Sequence, residues 1–197
     1  MSKIIGLCGG SGSGKGIVAS FFAENGYLTI DTDKVYREVT DKSSNCLDAL
    51  VCEFGPEILN IDGSLNRKWL GEIVFSDKKK LSALNTITHR FILDRVRTII
   101  NDSANVKYKG FVVDAPLLYE SGFDKECDFV VAVLANIDIR IDRIVVRDGI
   151  SREAAIKRIS SQITDERLRT LADFTVENNG NLLALREEVN EIIRKIN

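Results

Sequence analysis

One histidine, His89, and four cysteines, Cys8, Cys46, Cys52 and Cys127, are all that this 197-residue chain offers to a soft-metal site or a covalent crosslink. The cysteines are scattered and form no C-x-x-C pair, so neither a zinc centre nor a disulfide framework is suggested, and the reduced thiols of a cytosolic protein remain as the reading. A surplus of one charge is missing as well. With 27 Lys and Arg against 29 Asp and Glu, the formal net charge of −2 gives no overall field that would draw in nucleic acid or an anionic membrane. Any anion site is therefore local. Only two prolines are present, and no low-complexity segment or fixed-period repeat appears, which excludes long linkers and solenoids. No apolar run approaches the length of a bilayer span, and Met1 leads into "KIIGLC" without a signal-type apolar region. A soluble cytoplasmic protein with no nucleic-acid or membrane partner is expected. Its length suffices for a sizeable core without a staple.

What is present reads as an alternation of strands and helices. Residues 3 to 8 are a short β-branched apolar run ending in glycines, residues 15 to 24 carry apolar positions 17, 18, 21 and 22 at helical spacing, and "YLTID" (27 to 31) reads as a second strand. Strand, glycine turn, helix and strand within about thirty residues make a βαβ unit with parallel strands. "GFVVDAP" (110 to 116) and "DFVVAVLA" (128 to 135) are nearly continuous apolar runs, as strands buried on both faces require, and "DFTVEN" (173 to 178) is a weaker strand. Helical periodicity dominates from 34 to 108 and again from 136 to 172, where arginine is frequent. From Asn181 onward, Leu182, Leu185, Val189, Ile192 and Ile196 fall on one helix face and are expected in the core. The fold class is α/β, a parallel sheet flanked by helices. One domain is expected, with core segments 1–33, 109–135 and 173–197, an inserted helical region 34–108 and an arginine-rich helical segment 136–172.

"GGSGSGKG", Gly9 to Gly16, matches G-x-x-x-x-G-K directly after a strand and at the opening of a helix. In such a phosphate-binding loop, consecutive backbone N–H groups turn toward phosphate oxygens, at a closeness that a Cβ would obstruct. The helix N-terminus adds unpaired amides and the positive end of its dipole, and Lys15 adds a full charge at the β and γ phosphates. A dinucleotide-binding G-x-G-x-x-G fits poorly, because from Gly10 the third glycine falls on Lys15 and from Gly12 on Ile17. The hydroxyl that usually follows the lysine and ligates Mg²⁺ is absent, since Gly16 and Ile17 stand there. A water in its place is expected to leave nucleotide binding intact and metal affinity weakened.

Two acidic positions lie at strand ends. "IDTD" sets Asp31 and Asp33 just beyond the second strand, where one carboxylate can accept the proton of an attacking hydroxyl and where helix capping is the alternative. Asp114 ends the third strand, a place suited to holding Mg²⁺, directly or through water, with capping again the alternative. Arg140, Arg143 and Arg147, at i, i+3 and i+7, occupy one helical face. Beside a phosphate loop they read as a lid that stabilises transferring charge, and salt bridges to Asp138, Asp142 or Asp148 are the simpler explanation of each.

Taken in order, "IGLCGGSGSGK", "IDTDKVYREV", "FGPEILNIDGSLNRKWLGEIVF", "LSALNTITH", "VVDAPLLYESG", "RIDRIVVRDGIS" and "ADFTVENNG" resemble the dephospho-CoA kinase family almost end to end. The resemblance implies a P-loop NTPase fold with a helical substrate region and an arginine lid. It also implies ATP-dependent phosphorylation of the ribose 3′-hydroxyl of dephospho-CoA, the last step of coenzyme A synthesis, with Mg²⁺ as cofactor. On this reading Ser11, Gly12, Ser13, Gly14, Lys15, Gly16 and Ile17 bind ATP with Arg143, Arg147 and Asn178, the last near the adenine. Lys15, Asp33 and Arg143 are catalytic, with Asp33 as base at the acceptor hydroxyl. Asp33, Arg67, His89, Leu117, Tyr119 and Glu120 belong to the dephospho-CoA side, and a monomer or weak homo-oligomer is expected. Three departures stand out: Gly16-Ile17 in place of Ser-Thr, Arg90 where a proline is usual, and Arg140 where a glutamine is common. With Arg90 in place of an imino acid, the helix from about Asp77 is free to run on. Another small-molecule or nucleotide kinase, or an ATP-binding sensor without turnover, are the alternatives.

Overall fold

A computed structural model describes residues 2–103 and 105–196. In chain order the elements are β1 (Lys3–Cys8), α1 (Lys15–Glu24), β2 (Leu28–Asp31), α2 (Thr32–Val39), α3 (Asn45–Phe54), α4 (Arg67–Phe75), α5 (Lys78–Asp102), β3 (Gly110–Asp114) and β4 (Phe129–Leu134). They continue with α6 (Ile137–Asp148), α7 (Arg152–Ser160), α8 (Asp165–Leu171), β5 (Phe174–Glu177) and α9 (Leu182–Ile196). Two compact units result, one formed by residues 1–30 and 106–197 and the other by 31–105.

In the first unit the sheet order is β2-β3-β1-β4-β5, with β1 parallel to both β3 and β4, and β4 parallel to β5. The α/β class with a parallel sheet is thus observed. Register sets Leu7 between Asp114 and Val131, so the carboxyl ends of β1, β3 and β4 share one edge. Chain order reverses around β1, which makes this edge the switch point at which parallel sheets open a crevice. The central strands are buried on both faces, and from Val130 to Leu134 every residue is buried. That explains why they read as unbroken apolar runs rather than alternating ones. Pro116, which has no N–H to donate, follows the last ladder bond of the β3 segment, from Ala115 N–H to the Leu7 carbonyl.

One core cluster joins Ile5, Leu7, Val112, Val131 and Val133 of the sheet to Phe21 and Phe22 of α1 and to α9. Phe22 meets Tyr27 edge-on, centroids 5.4 Å apart, which fixes the return from α1 into β2. The expected stripe of α9 needs one correction. Leu185, Val189, Ile192 and Ile196 are buried, but Leu182, at the first position of the helix, is 53% exposed and Ile193 takes a place in the core instead. The apolar face begins one turn into the helix.

The second unit is helical. α5 runs unbroken for 25 residues through Arg90, capped at its start by the Asp77 carboxylate, which accepts from the amides of Lys79 and Lys80. Its core gathers Cys46, Leu47, Leu50, Ile58, Leu65, Leu70 and Val74. Among the described residues its only strand pairing is the single bridge Leu59 to Leu65. No helix is long and apolar enough to cross a membrane among the described residues.

Removing buried methylenes from α9 costs far more than removing exposed ones. Leu185→Ala is expected to lower unfolding stability by about 3 kcal/mol and Leu182→Ala by less than about 0.5 kcal/mol, read by urea denaturation.

Candidate active site

β1 ends at Cys8, and after six intervening residues α1 opens at Lys15. The loop between them can take its path only with glycine at key points. Gly12 has φ +78°, and a Cβ there would lie 2.6 Å from the Arg140 carbonyl oxygen; Gly14 has φ +90° and a Cβ there would run into the Asn178 amide. Gly14 is also the residue before the helix, so α1 has no side-chain cap and no acidic residue in its first turn. The Ile17 and Val18 amides return to the Gly14 carbonyl, and the Ser13 amide to that of Gly10. Those of Gly12, Gly14, Lys15 and Gly16 donate to no protein acceptor among the described residues. Uncapped amides at a helix N-terminus, with the positive dipole end behind them, form a receptor for an anion.

Lys15 bends over this concavity. Its Nζ donates to the Gly9 carbonyl at 3.2 Å and lies 3.9 Å from Oδ1 of Asp114, and both side chains are largely buried. Asp114 therefore sits at the end of β3, opposite the loop, as its strand position predicts. Beneath them burial pushes the Cys8 thiol up to about 12, against the nearby Lys15 charge that lowers it, so Cys8 stays a neutral packing residue. Tyr119, in the turn after β3, has its phenol raised by burial and by the neighbouring Cys8. Leu117 and Glu120 of that turn are exposed, whereas Leu118 is fully buried and packs against Gly6.

The arginines of α6 share a face but not a task. Arg140 is only 4% exposed, and its guanidinium donates to the Ser11 carbonyl at 2.9 Å and to Asp165 at 2.8 Å. It is thus built into the protein and is no free cation of a lid. Arg143 donates to the carbonyls of Gly12 and Ser13 at 3.1 and 3.4 Å and to Oδ1 of Asn178 at 3.2 Å. Asn178 is buried and donates in turn to the Ser13 carbonyl at 2.8 Å, so both of its amide atoms are engaged with the loop's own support. Arg147 is exposed and grips Asp148 with two bonds of 2.7 and 3.0 Å; Arg158 joins the same carboxylate, which these hydrogen bonds hold down at about 2. Asp138 and Asp142 both pair with Arg152. A further support, Gln162, bonds to Ser11 and carries no sequence signal: it is a lone glutamine in "SSQIT".

In the second unit, Asp31 proves to be the cap: its carboxylate accepts from the amides of Asp33 and Lys34 at 2.9 and 3.1 Å. Asp33 stands exposed in the first turn of α2. Arg67 donates to the Thr40 hydroxyl at 2.8 Å and stacks over the Tyr36 ring, 4.9 Å from its centroid. His89 is half-buried on α5, and desolvation lowers its pKa, so it is neutral at pH 7.

The dephospho-CoA kinase family model matches residues 3–184. A dephospho-CoA kinase of Fusobacterium nucleatum subsp. nucleatum is 38% identical over 193 residues, covering 98% of each chain, and one of Lactobacillus johnsonii is 33% identical over 196, covering 100% of this chain and 99% of that one. Among solved structures, a Thermus thermophilus protein superposes with a TM-score of 0.83 at 29% identity, covering 99% of this chain and 98% of that one. The dephospho-CoA kinase of Campylobacter jejuni superposes at 0.70 and 28% identity, covering 100% and 98%. Shikimate kinase of Acinetobacter baumannii, at 18% identity and 0.59 over 98% of this chain and 92% of that one, shares the fold. With the family model matching residues 3–184 and relatives matched from end to end, the chain belongs to the dephospho-CoA kinase family.

Proposed function

We propose that the chain transfers the γ-phosphoryl group of ATP to the ribose 3′-hydroxyl of dephospho-CoA, forming coenzyme A and ADP. The observation that carries this reading is the set of amides of Gly12, Gly14, Lys15 and Gly16 at the head of α1, which donate to no protein acceptor among the described residues, with Lys15 and Asp114 converging on them. The loop, from Ser11 to Ile17, holds the polyphosphate; its amides and Lys15 meet the charge that builds on the transferring group. Arg143 stiffens the loop through two carbonyls and, with Arg147, supplies positive charge on the donor side. Asn178 serves ATP by shaping the loop rather than by offering free donors, since both of its amide atoms are engaged. Asp33 takes the proton of the acceptor hydroxyl as the new O–P bond forms and the bond to the β-phosphate oxygen breaks. Its neighbour Asp31 is occupied as the helix cap, which leaves Asp33 as the available carboxylate of the pair. Arg67, His89, Leu117, Tyr119 and Glu120 belong to the acceptor side, where neutral His89 offers a hydrogen bond without adding charge.

The residues fit a Mg²⁺ companion of ATP. One carboxylate, Asp114, stands beside the loop, and a hard cation that keeps most of its waters needs few protein ligands besides phosphate oxygens. Asp114 would hold it, directly or through water, and Gly16 would contribute nothing. When bound, such an ion neutralises phosphate charge. The enzyme is expected to work in the cytoplasm as a monomer or weak homo-oligomer.

ADP release coupled to a dephospho-CoA titration tests the activity, and folded protein that gives no turnover at saturating Mg²⁺ would overturn it. In the same assay Asp33→Asn is expected to lower kcat by about 10²- to 10⁴-fold with KM values little changed. Gly16→Ser adds a Cβ that meets nothing within 4 Å, so the fold accepts it. Its hydroxyl is expected to lower the Mg²⁺ concentration for half-maximal ATP binding by about tenfold, read by calorimetry as well as turnover; an unchanged Mg²⁺ dependence would show that the missing oxygen has no role.

A further inference from the structure

Ser11 stands between Gly10 and Gly12, and all three of its polar groups are taken up. Its N–H donates to Oε1 of Gln162 at 2.9 Å, its Oγ accepts from Nε2 of the same glutamine at 3.1 Å, and its carbonyl accepts from Nε of Arg140 at 2.9 Å. Gln162 belongs to the connector between α7 and α8. Three residues on, Asp165 opens α8 and accepts the other arm of Arg140 at 2.8 Å. A closed ring results, from Ser11 to Gln162, along the connector to Asp165, and through Arg140 back to Ser11. The glutamine amide suits its place because one carbonyl acceptor and one NH₂ donor match the N–H and Oγ of a single serine; a thioether of the same length matches neither.

The division within the loop gives this contact its meaning. Among the described residues the amides of Gly12, Gly14, Lys15 and Gly16 are left for an anion, while that of Ser13 turns to the Gly10 carbonyl and that of Ser11 is withdrawn and fixed by Gln162. Residues flanked by glycines lose much backbone freedom when they are ordered, and a ligand that must impose that order binds more weakly than one that finds it in place. We propose that Gln162 is a positioning residue of the kinase: acting through Ser11, it holds the rim of the phosphate loop in its binding shape and so ties the α7–α8 connector to ATP affinity. The proposal rests on the loop being the ATP cradle.

Gln162→Met keeps the length of the side chain and removes both hydrogen bonds. The Ser11 amide of nucleotide-free protein is expected to exchange its hydrogen at least about tenfold faster. The Kd and KM for ATP are expected to rise about five- to tenfold, with kcat at saturating ATP and the KM for dephospho-CoA within about twofold. Ser11→Ala, which removes the hydroxyl arm alone, is expected to raise the ATP Kd by about two- to threefold, and the double variant to be no worse than Gln162→Met. If Gln162→Met does not fold, the Ser11→Ala value decides. An unchanged ATP Kd in the variants, or an equal rise in both KM values, would overturn the proposal. Absence of ATP heat in the unaltered protein would instead remove the cradle reading itself, while the exchange rate at Ser11 would still report whether the contact forms.

Discussion

A short glycine loop that leaves four of its amides, those of Gly12, Gly14, Lys15 and Gly16, without a protein partner among the described residues is the condition on which the rest of this structure turns. Unpaired backbone donors are costly when they lose water, so a loop that keeps several of them pointing one way must be held by something other than its own hydrogen bonds. Here the holding is done from outside. Arg143 and Asn178 support the carbonyls of Gly12 and Ser13, Arg140 and Gln162 take the polar groups of Ser11, and the carbonyl of Val133 and the backbone of Arg140 leave no room for side chains at Gly9 and Gly12. The carbonyls of Ser11, Gly12 and Ser13 are taken up by the protein, while the amides of Gly12, Gly14, Lys15 and Gly16 are not, among the described residues. That polarity, more than any one charge, makes the head of α1 a place suited to an anion.

Positive charge is distributed to suit. Lys15 lies over the concavity, 3.9 Å from Asp114, and Arg143 behind its carbonyls, whereas Arg140 bonds to Asp165 and Arg147 to Asp148. Three of these four cations meet a carboxylate, Lys15 at Asp114, Arg140 at Asp165 and Arg147 at Asp148, while Arg143 lies against the loop's carbonyls, so a chain with a net charge of −2 gathers its positive groups locally.

Much of this was legible in the sequence. The glycine spacing placed the loop, unbroken apolar runs placed β1, β3 and β4, and the absence of proline at Arg90 foretold the unbroken α5. Side-chain partnership was not legible. Helical spacing put Arg140, Arg143 and Arg147 on one face, yet which guanidinium is buried depends on Asp165 at the start of α8, 25 residues away from Arg140. The same holds for Gln162, whose partner lies 151 residues earlier. The overestimate at Leu182 arose because periodicity locates a face and not the turn at which it meets the core.

One position remains outside this tight mutual support. With no atom in reach of a side chain at residue 16, glycine is not kept there by packing, by a turn or by a left-handed backbone. The surrounding architecture puts no barrier in the way of a serine there. A substitution at residue 16 therefore separates what the loop does from how the chain folds, because the packing makes no demand there.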